Sequence, residues 1–159
     1  DAITISLMMQ KKFSKLDFKK FHPSGNLSKK LRTVEDLMFT GGKIPFVDEN
    51  SKIEKVIKLI NLKKLGIAIV RNQKKQTIGV FTDGDIKRTI QKNSNLKEQK
   101  IKSIMVKNPI SINKNVLAEN ALGLMNEKKI TTLCVHNNSN KKKTLGVLHI
   151  HTLLNADIS

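Results

Sequence analysis

A chain of 159 residues, 38% of them apolar, with a mean hydropathy of −0.31 can build a packed core, and it holds no apolar run of the roughly 18–20 residues a membrane span needs. Its 30 basic residues against 13 acidic ones give a net charge of +17, which invites a nucleic-acid reading. Against it, Arg32, Arg71 and Arg88 are the only arginines, no Tyr or Trp is present to stack on bases, and the lysines are scattered pairs that read as a solvated surface.

The opening segment, DAITISLMMQKK, runs from apolar to basic, the reverse of a signal peptide, and reads as the end of a helix already under way. The chain is therefore expected to be a piece of a longer protein. Ser14 begins a short helix, SKLDFKKF, with Leu16, Phe18 and Phe21 apolar. His22 precedes Pro23, which pushes it out of the helical region and onto a loop. Gly25 permits a positive φ, and Leu27–Arg32 resumes as helix. From residue types alone, His22 is an ordinary loop histidine tucked beside Phe21.

Beyond residue 33 the chain repeats itself. TIGV at 77–80 returns as TLGV at 144–147, LKKL at 62–65 as EKKI at 127–130, and LM at 37–38 as IM at 104–105, separations of 67, 65 and 67 residues. Each copy predicts the order β-α-β-β-α. Extended pieces at Ile44–Val47 and Ile110–Ile112 come first. Helices follow, with Ile53, Val56, Ile57 and Ile60 in one copy and Val116, Leu117, Ala121, Leu122 and Met125 in the other at three-four spacing. Ser51 and Asn115 are the expected N-caps. Two strands come next in each copy, GIAIVR and TIGVF, then TTLCVH and TLGVL, joined by the polar turns NQKKQ and NNSNKKK. Closing helices are expected at about 83–91 and 151–157. The single cysteine, Cys134, excludes an internal disulfide, and its strand-like setting predicts a buried free thiol, as in a reducing cytoplasm.

One such unit leaves a face of its small sheet uncovered, so two are expected to pack together. The order, the period and the segment GVFTDGD resemble a pair of cystathionine-β-synthase-type (CBS) domains over residues 34–159. The expected fold is thus α+β (α/β-like), two β-α-β-β-α repeats on a pseudo-twofold, with 34–98 as the first domain and 99–159 as the second.

In the turn GVFTDGDIKR, Thr82 can cap the following helix and Asp85 can bond back to it as a capping box. The same geometry suits a nucleotide, with phosphate at Thr82 and the helix start and ribose hydroxyls on Asp85. The CBS resemblance implies that second role, and both readings stay open. In the second copy, His149 replaces Thr82 and Thr152 replaces Asp85, so at most one ordinary nucleotide site is expected. His149 and His151, without a cysteine or carboxylate pattern beside them, do not predict a metal site.

FHPSGNLSKKL ahead of the CBS pair resembles the junction in D-arabinose 5-phosphate isomerases, where a sugar isomerase (SIS) domain ends in Phe-His-Pro-Gly-Gly-x-Leu-Gly. Phe21, His22, Pro23, Gly25 and Leu27 match, while Ser24 and Ser28 replace glycines. The resemblance implies that residues 1–33 are the end of an α/β SIS domain. It also implies that His22 is catalytic in interconverting D-ribulose 5-phosphate and D-arabinose 5-phosphate, a step toward 3-deoxy-D-manno-octulosonate for lipopolysaccharide or capsule. An imidazole titrating near neutrality suits the proton transfers of an enediol route. No required cofactor is implied. A regulatory nucleotide or nucleotide-sugar in the CBS cleft, and a homotetramer built through the CBS pairs, are. The chain alone is expected to be inactive, since the rest of the site lies outside it. The alternatives are a stand-alone adenosine-nucleotide sensor and, from charge alone, a nucleic-acid-associated CBS protein.

Overall fold

A computed structural model of the chain describes residues 31–92 and 95–159. The elements in chain order are α1 (Val34–Leu37), β1 (Phe46–Asp48), α2 (Ile53–Lys63), β2 (Ile67–Arg71), β3 (Thr77–Thr82) and α3 (Asp83–Lys92), then β4 (Val106–Lys107), β5 (Ser111–Asn113), α4 (Ala118–Lys128), β6 (Thr132–His136), β7 (Gly146–His149) and α5 (Ile150–Asn155). Single 3-10 turns at Gly41–Lys43 and Ile101–Ser103 precede β1 and β4. The expected β-α-β-β-α order is present in both copies. Each begins with a parallel pair, β1 with β2 and β5 with β6, and continues antiparallel to β3 or β7.

Helix α2 buries Ile53, Val56 and Ile60 of its expected stripe, with Ile57 half-buried; α4 buries Ala121, Leu122 and Met125 of its own together with Ala118, while Val116 and Leu117 precede the helix and are half-buried. Both end in the same way. Lys64 and Lys129, the second lysines of the repeated KK pair, take left-handed conformations with φ of 59° and 55° and turn the chain into β2 and β6. The expected caps are corrected. Neither Ser51 nor Asn115 caps a helix; α2 and α4 start after Lys52 and Leu117, without side-chain caps. Backbone carbonyls from the segment that leads into the other copy, its leader, serve instead: Ile53 N–H donates to Gln99 O at 2.9 Å, and Ala118 N–H to Arg32 O at 2.8 Å.

Those leaders are exchanged between the copies. Residues 33–39 lie on the second copy, where Val34 and Leu37 pack with Ala118, Met125 and Leu148, and Phe39 pairs with Val147. Residues 96–107 lie on the first, where Leu96 and Ile101 join Ile53, Val56 and Phe81, and β4 extends the sheet beside β3. This explains why glycine recurs in TIGV and TLGV. A Cβ on Gly79 would stand 2.6 Å from Met105 Sδ and 2.9 Å from Val106 O; on Gly146 it would stand 2.5 Å from Met38 Sδ and 2.8 Å from Phe39 O. The paired LM and IM of the leaders are the partners that require it.

A third core joins the two sheets, with Ile67 and Ile69 of β2 packed with Cys134 of β6, Val147 of β7, Ile44 and Leu65. Near the axis the equivalent residues Thr77 and Thr144 meet each other, Oγ1 to Oγ1 at 2.6 Å. Reciprocal contacts of this kind are the mark of a twofold relation.

Candidate functional site

Where β3 and β7 end and α3 and α5 begin, the two copies enclose a cleft of about 660 Å³. The first copy contributes Lys64, Gly66, the turn 82–85 and Arg88; the second contributes Asn108, Pro109, Ile110, residues 129–132, His149 and His151. Two of the large exposed apolar side chains of the molecule, Val106 and Ile110, are spent on this cleft, 47% and 41% exposed. A concave site with an apolar wall and a few converging polar groups is the general form of a small-molecule pocket.

The structure brings Thr82 and Asp85 together in the cleft as a capping box. Thr82 donates to Asp85 Oδ2 through both its N–H and its Oγ1–H, each at 3.0 Å, and Asp85 N–H donates back to Thr82 Oγ1 at 3.2 Å. The other carboxylate oxygen, Oδ1, accepts from an Arg88 guanidinium nitrogen at 2.6 Å. The arginine side chain is 67% exposed and the carboxylate only 13%. The arginine end of the pair faces solvent, which leaves Oδ1 the side of the carboxylate that a ligand hydroxyl can reach. Displaced, Arg88 becomes a free cation at the start of α3. This second use of the turn was invisible in the pattern Thr-x-x-Asp, which says nothing of the residue one helical turn on.

The equivalent turn of the second copy is built differently. His149 caps α5 with its ring, Nδ1 accepting from His151 N–H at 3.1 Å, and the two imidazoles stack with centroids 5.0 Å apart. Burial, and then the neighbouring His151, lower the His149 pKa from its ordinary value, so the ring is neutral at pH 7. No carboxylate stands here, and Thr152 occupies the place of Asp85. Among the described residues no group of three or more His, Cys, Asp or Glu side chains is arranged to hold a metal ion.

Cys134 forms part of the cleft wall as a buried free thiol. Burial pushes its pKa up to about 12 against a weaker opposing hydrogen bond with Thr144, so it stays protonated and unreactive at neutral pH. Sequence reasoning missed Lys64, Lys129 and the 108–110 segment. The duplicated KK pair is their one visible signal in the sequence. His22 and the helices expected around it at 14–21 lie outside the described residues; of the helix expected at 27–32, Leu31 is a turn and Arg32 irregular. No helix among the described residues is long and apolar enough to cross a membrane.

A family model described as "CBS domain" matches residues 34–92 and 101–159. Over its whole length the chain is 35% identical to an uncharacterized protein of Rickettsia prowazekii, covering 48% of that protein. It is 33% identical to the arabinose 5-phosphate isomerase KdsD of Yersinia pestis, with 99% of this chain and 48% of that one aligned. The chain thus spans about half the length of the curated relatives it matches. Among solved structures, CBSX2 in complex with AMP superimposes with a TM-score of 0.67 at 22% identity, covering 79% of this chain and 96% of that one. The CBS domain pair of MJ0100, in complex with 5-methylthioadenosine and S-adenosyl-L-methionine, gives 0.69 at 15% identity over 79% and 94%.

Proposed function

Because the chain belongs to the CBS domain family, we propose that its cleft binds a nucleotide or nucleotide-sugar and that the pair is the regulatory half of an arabinose 5-phosphate isomerase. The observation that carries the ligand reading is one cavity holding both halves of a nucleotide's chemistry. The helix start at Thr82–Asp85 with Arg88, and with Lys64 and Lys129 nearby, suits a phosphate and a ribose. The exposed faces of Val106 and Ile110 suit a base. In this reading the ribose hydroxyls take Asp85 Oδ1 from Arg88, and the freed guanidinium turns to the phosphate. The second copy lacks the carboxylate, so one ordinary nucleotide is bound per chain. The AMP bound to CBSX2 and the adenosine compounds bound to MJ0100 are of the same chemical class.

Isothermal titration of the chain with AMP, ATP and CMP tests this. One site per chain is expected, with binding weakened at least about tenfold by Asp85→Ala through loss of the ribose acceptor. Absence of heat from all three and from a cytidine nucleotide-activated sugar would overturn it.

The isomerase reading rests on the likeness to KdsD across nearly all of this chain. His22 is then the acid-base group of the aldose–ketose isomerisation, moving a proton on the way through an enediol. The 159-residue chain alone should not convert ribulose 5-phosphate. The full reading frame should, as a cytoplasmic homotetramer that associates through its CBS pairs, and His22→Asn in it should lower turnover by about 10²–10⁴-fold. Undiminished turnover in that variant would remove His22 from the chemistry, and a frame without isomerase activity would leave a stand-alone nucleotide sensor.

A further inference from the structure

At the far end of β3 from Thr82, the turn between β2 and β3 meets the turn between β6 and β7 around a second recess of about 350 Å³. Five cations line it: Arg71, Lys74 and Lys75 from one copy, Lys142 and Lys143 from the other. No acidic residue lines it, and among the described residues none of the five forms an ion pair. Asp48 stands opposite Arg71 in the β1–β2 register, but its Oδ1 accepts from Asn50 N–H at 2.8 Å.

The recess is built, not a loose lysine tail. The Arg71 guanidinium lies 3.6 Å above the centre of the Phe46 ring, which holds its plane in one orientation. Asn72 Oδ1 accepts the N–H groups of Lys74 and Gln76, both at 3.0 Å, and so fixes the turn that carries the first two lysines. The second turn is tied to the first by Thr77 N–H donating to Lys142 O at 2.7 Å and by the Thr77–Thr144 hydroxyl pair. Like charges held together in this way repel until a counter-charge enters.

We propose that this recess is a binding site for a compact anion carrying several phosphate groups, separate from the cleft. A planar guanidinium takes two phosphate oxygens at once, and the four lysines act as point charges around the remainder. The recess is too small for a duplex, and its one aromatic ring is already covered by Arg71, leaving no platform for stacking bases.

The test is titration of the chain with sodium tripolyphosphate, orthophosphate, ATP and a short DNA duplex at low and at physiological salt, with the distant α2 variant Lys55→Ala/Lys58→Ala as the control. One tripolyphosphate per chain is expected, weakened at least about tenfold by Arg71→Ala and by Lys142→Ala, and about twofold or less by the control. Arg71→Lys, which keeps the charge and the fold, should also weaken it, since the stacked plane is lost. AMP binding in the cleft should be unchanged in all of these, which separates the two sites. ATP losing affinity in Arg71→Ala would identify a nucleotide's phosphate tail as the source; ATP indifferent to it would identify a free polyphosphate. Equal weakening by the control and by Arg71→Ala would overturn the proposal in favour of a diffuse field, as would tighter binding of duplex DNA than of tripolyphosphate.

Discussion

His136 is 5% exposed, and its Nδ1 has no hydrogen-bond partner among the described residues. Burial first, and the charge of Lys141 second, hold its pKa below the ordinary 6.5. The unfolded chain therefore binds a proton in a range where the folded chain does not. Stability that is intact above about pH 6.5 is lost as pH falls through the depressed folded value. Urea unfolding followed from pH 7.5 to 5 should show that decline, and His136→Leu should reduce it, leaving the part due to His149, whose pKa is lowered in the same sense. An unchanged slope in the variant would assign the decline elsewhere. At this scale the sequence was partly legible. The Thr82–Asp85 capping box followed from spacing alone, because both partners lie within one turn. The orphaned His136 did not, because burial is set by the sheet that covers it.

Among the elements, the strands and the two long helices were readable because their signals are local: alternation, three-four spacing, and turns rich in Asn and Lys. The short leaders α1 and β4 were not. Four residues of helix and two of strand carry no periodicity, and their stability comes from contacts with the other copy. The failed caps have the same origin. Carbonyls arriving from residues 32 and 99 meet the first N–H of each helix, in the place where a side-chain cap was expected from Ser51 and Asn115. Leu37, at 9% exposure, tests the exchange. Leu37→Ala should cost about 2–3 kcal/mol by denaturant titration. Hydrogen exchange should quicken in α4 and β6 of the second copy before it does in α2 and β2. Loss of protection in the first copy instead would contradict the crossed packing.

For the whole molecule, the exchange makes each copy dependent on residues that belong in sequence to the other. A fragment ending at residue 98 keeps every strand of the first β-α-β-β-α unit but loses Ile101, which is fully buried against it, and Met105, which packs beside Gly79. It also leaves α1 without the second copy's core. Residues 31–98 alone should show no cooperative thermal transition by circular dichroism, while 31–159 should show one. A sharp transition in the fragment would mean that the copies are independent domains.

What the sequence determined by itself was the repeat, the order of its elements, the pattern of its buried faces and the absence of a counterpart to Asp85 in the second copy. Each of these is written in residue types at short range or in direct comparison of the two copies. Only the tertiary structure decided which copy each leader covers, that Arg88 holds Asp85, and that two lysine-rich turns 67 residues apart close on one recess. Those outcomes depend on how two half-covered sheets bury each other, and no local pattern encodes the partner a surface will meet.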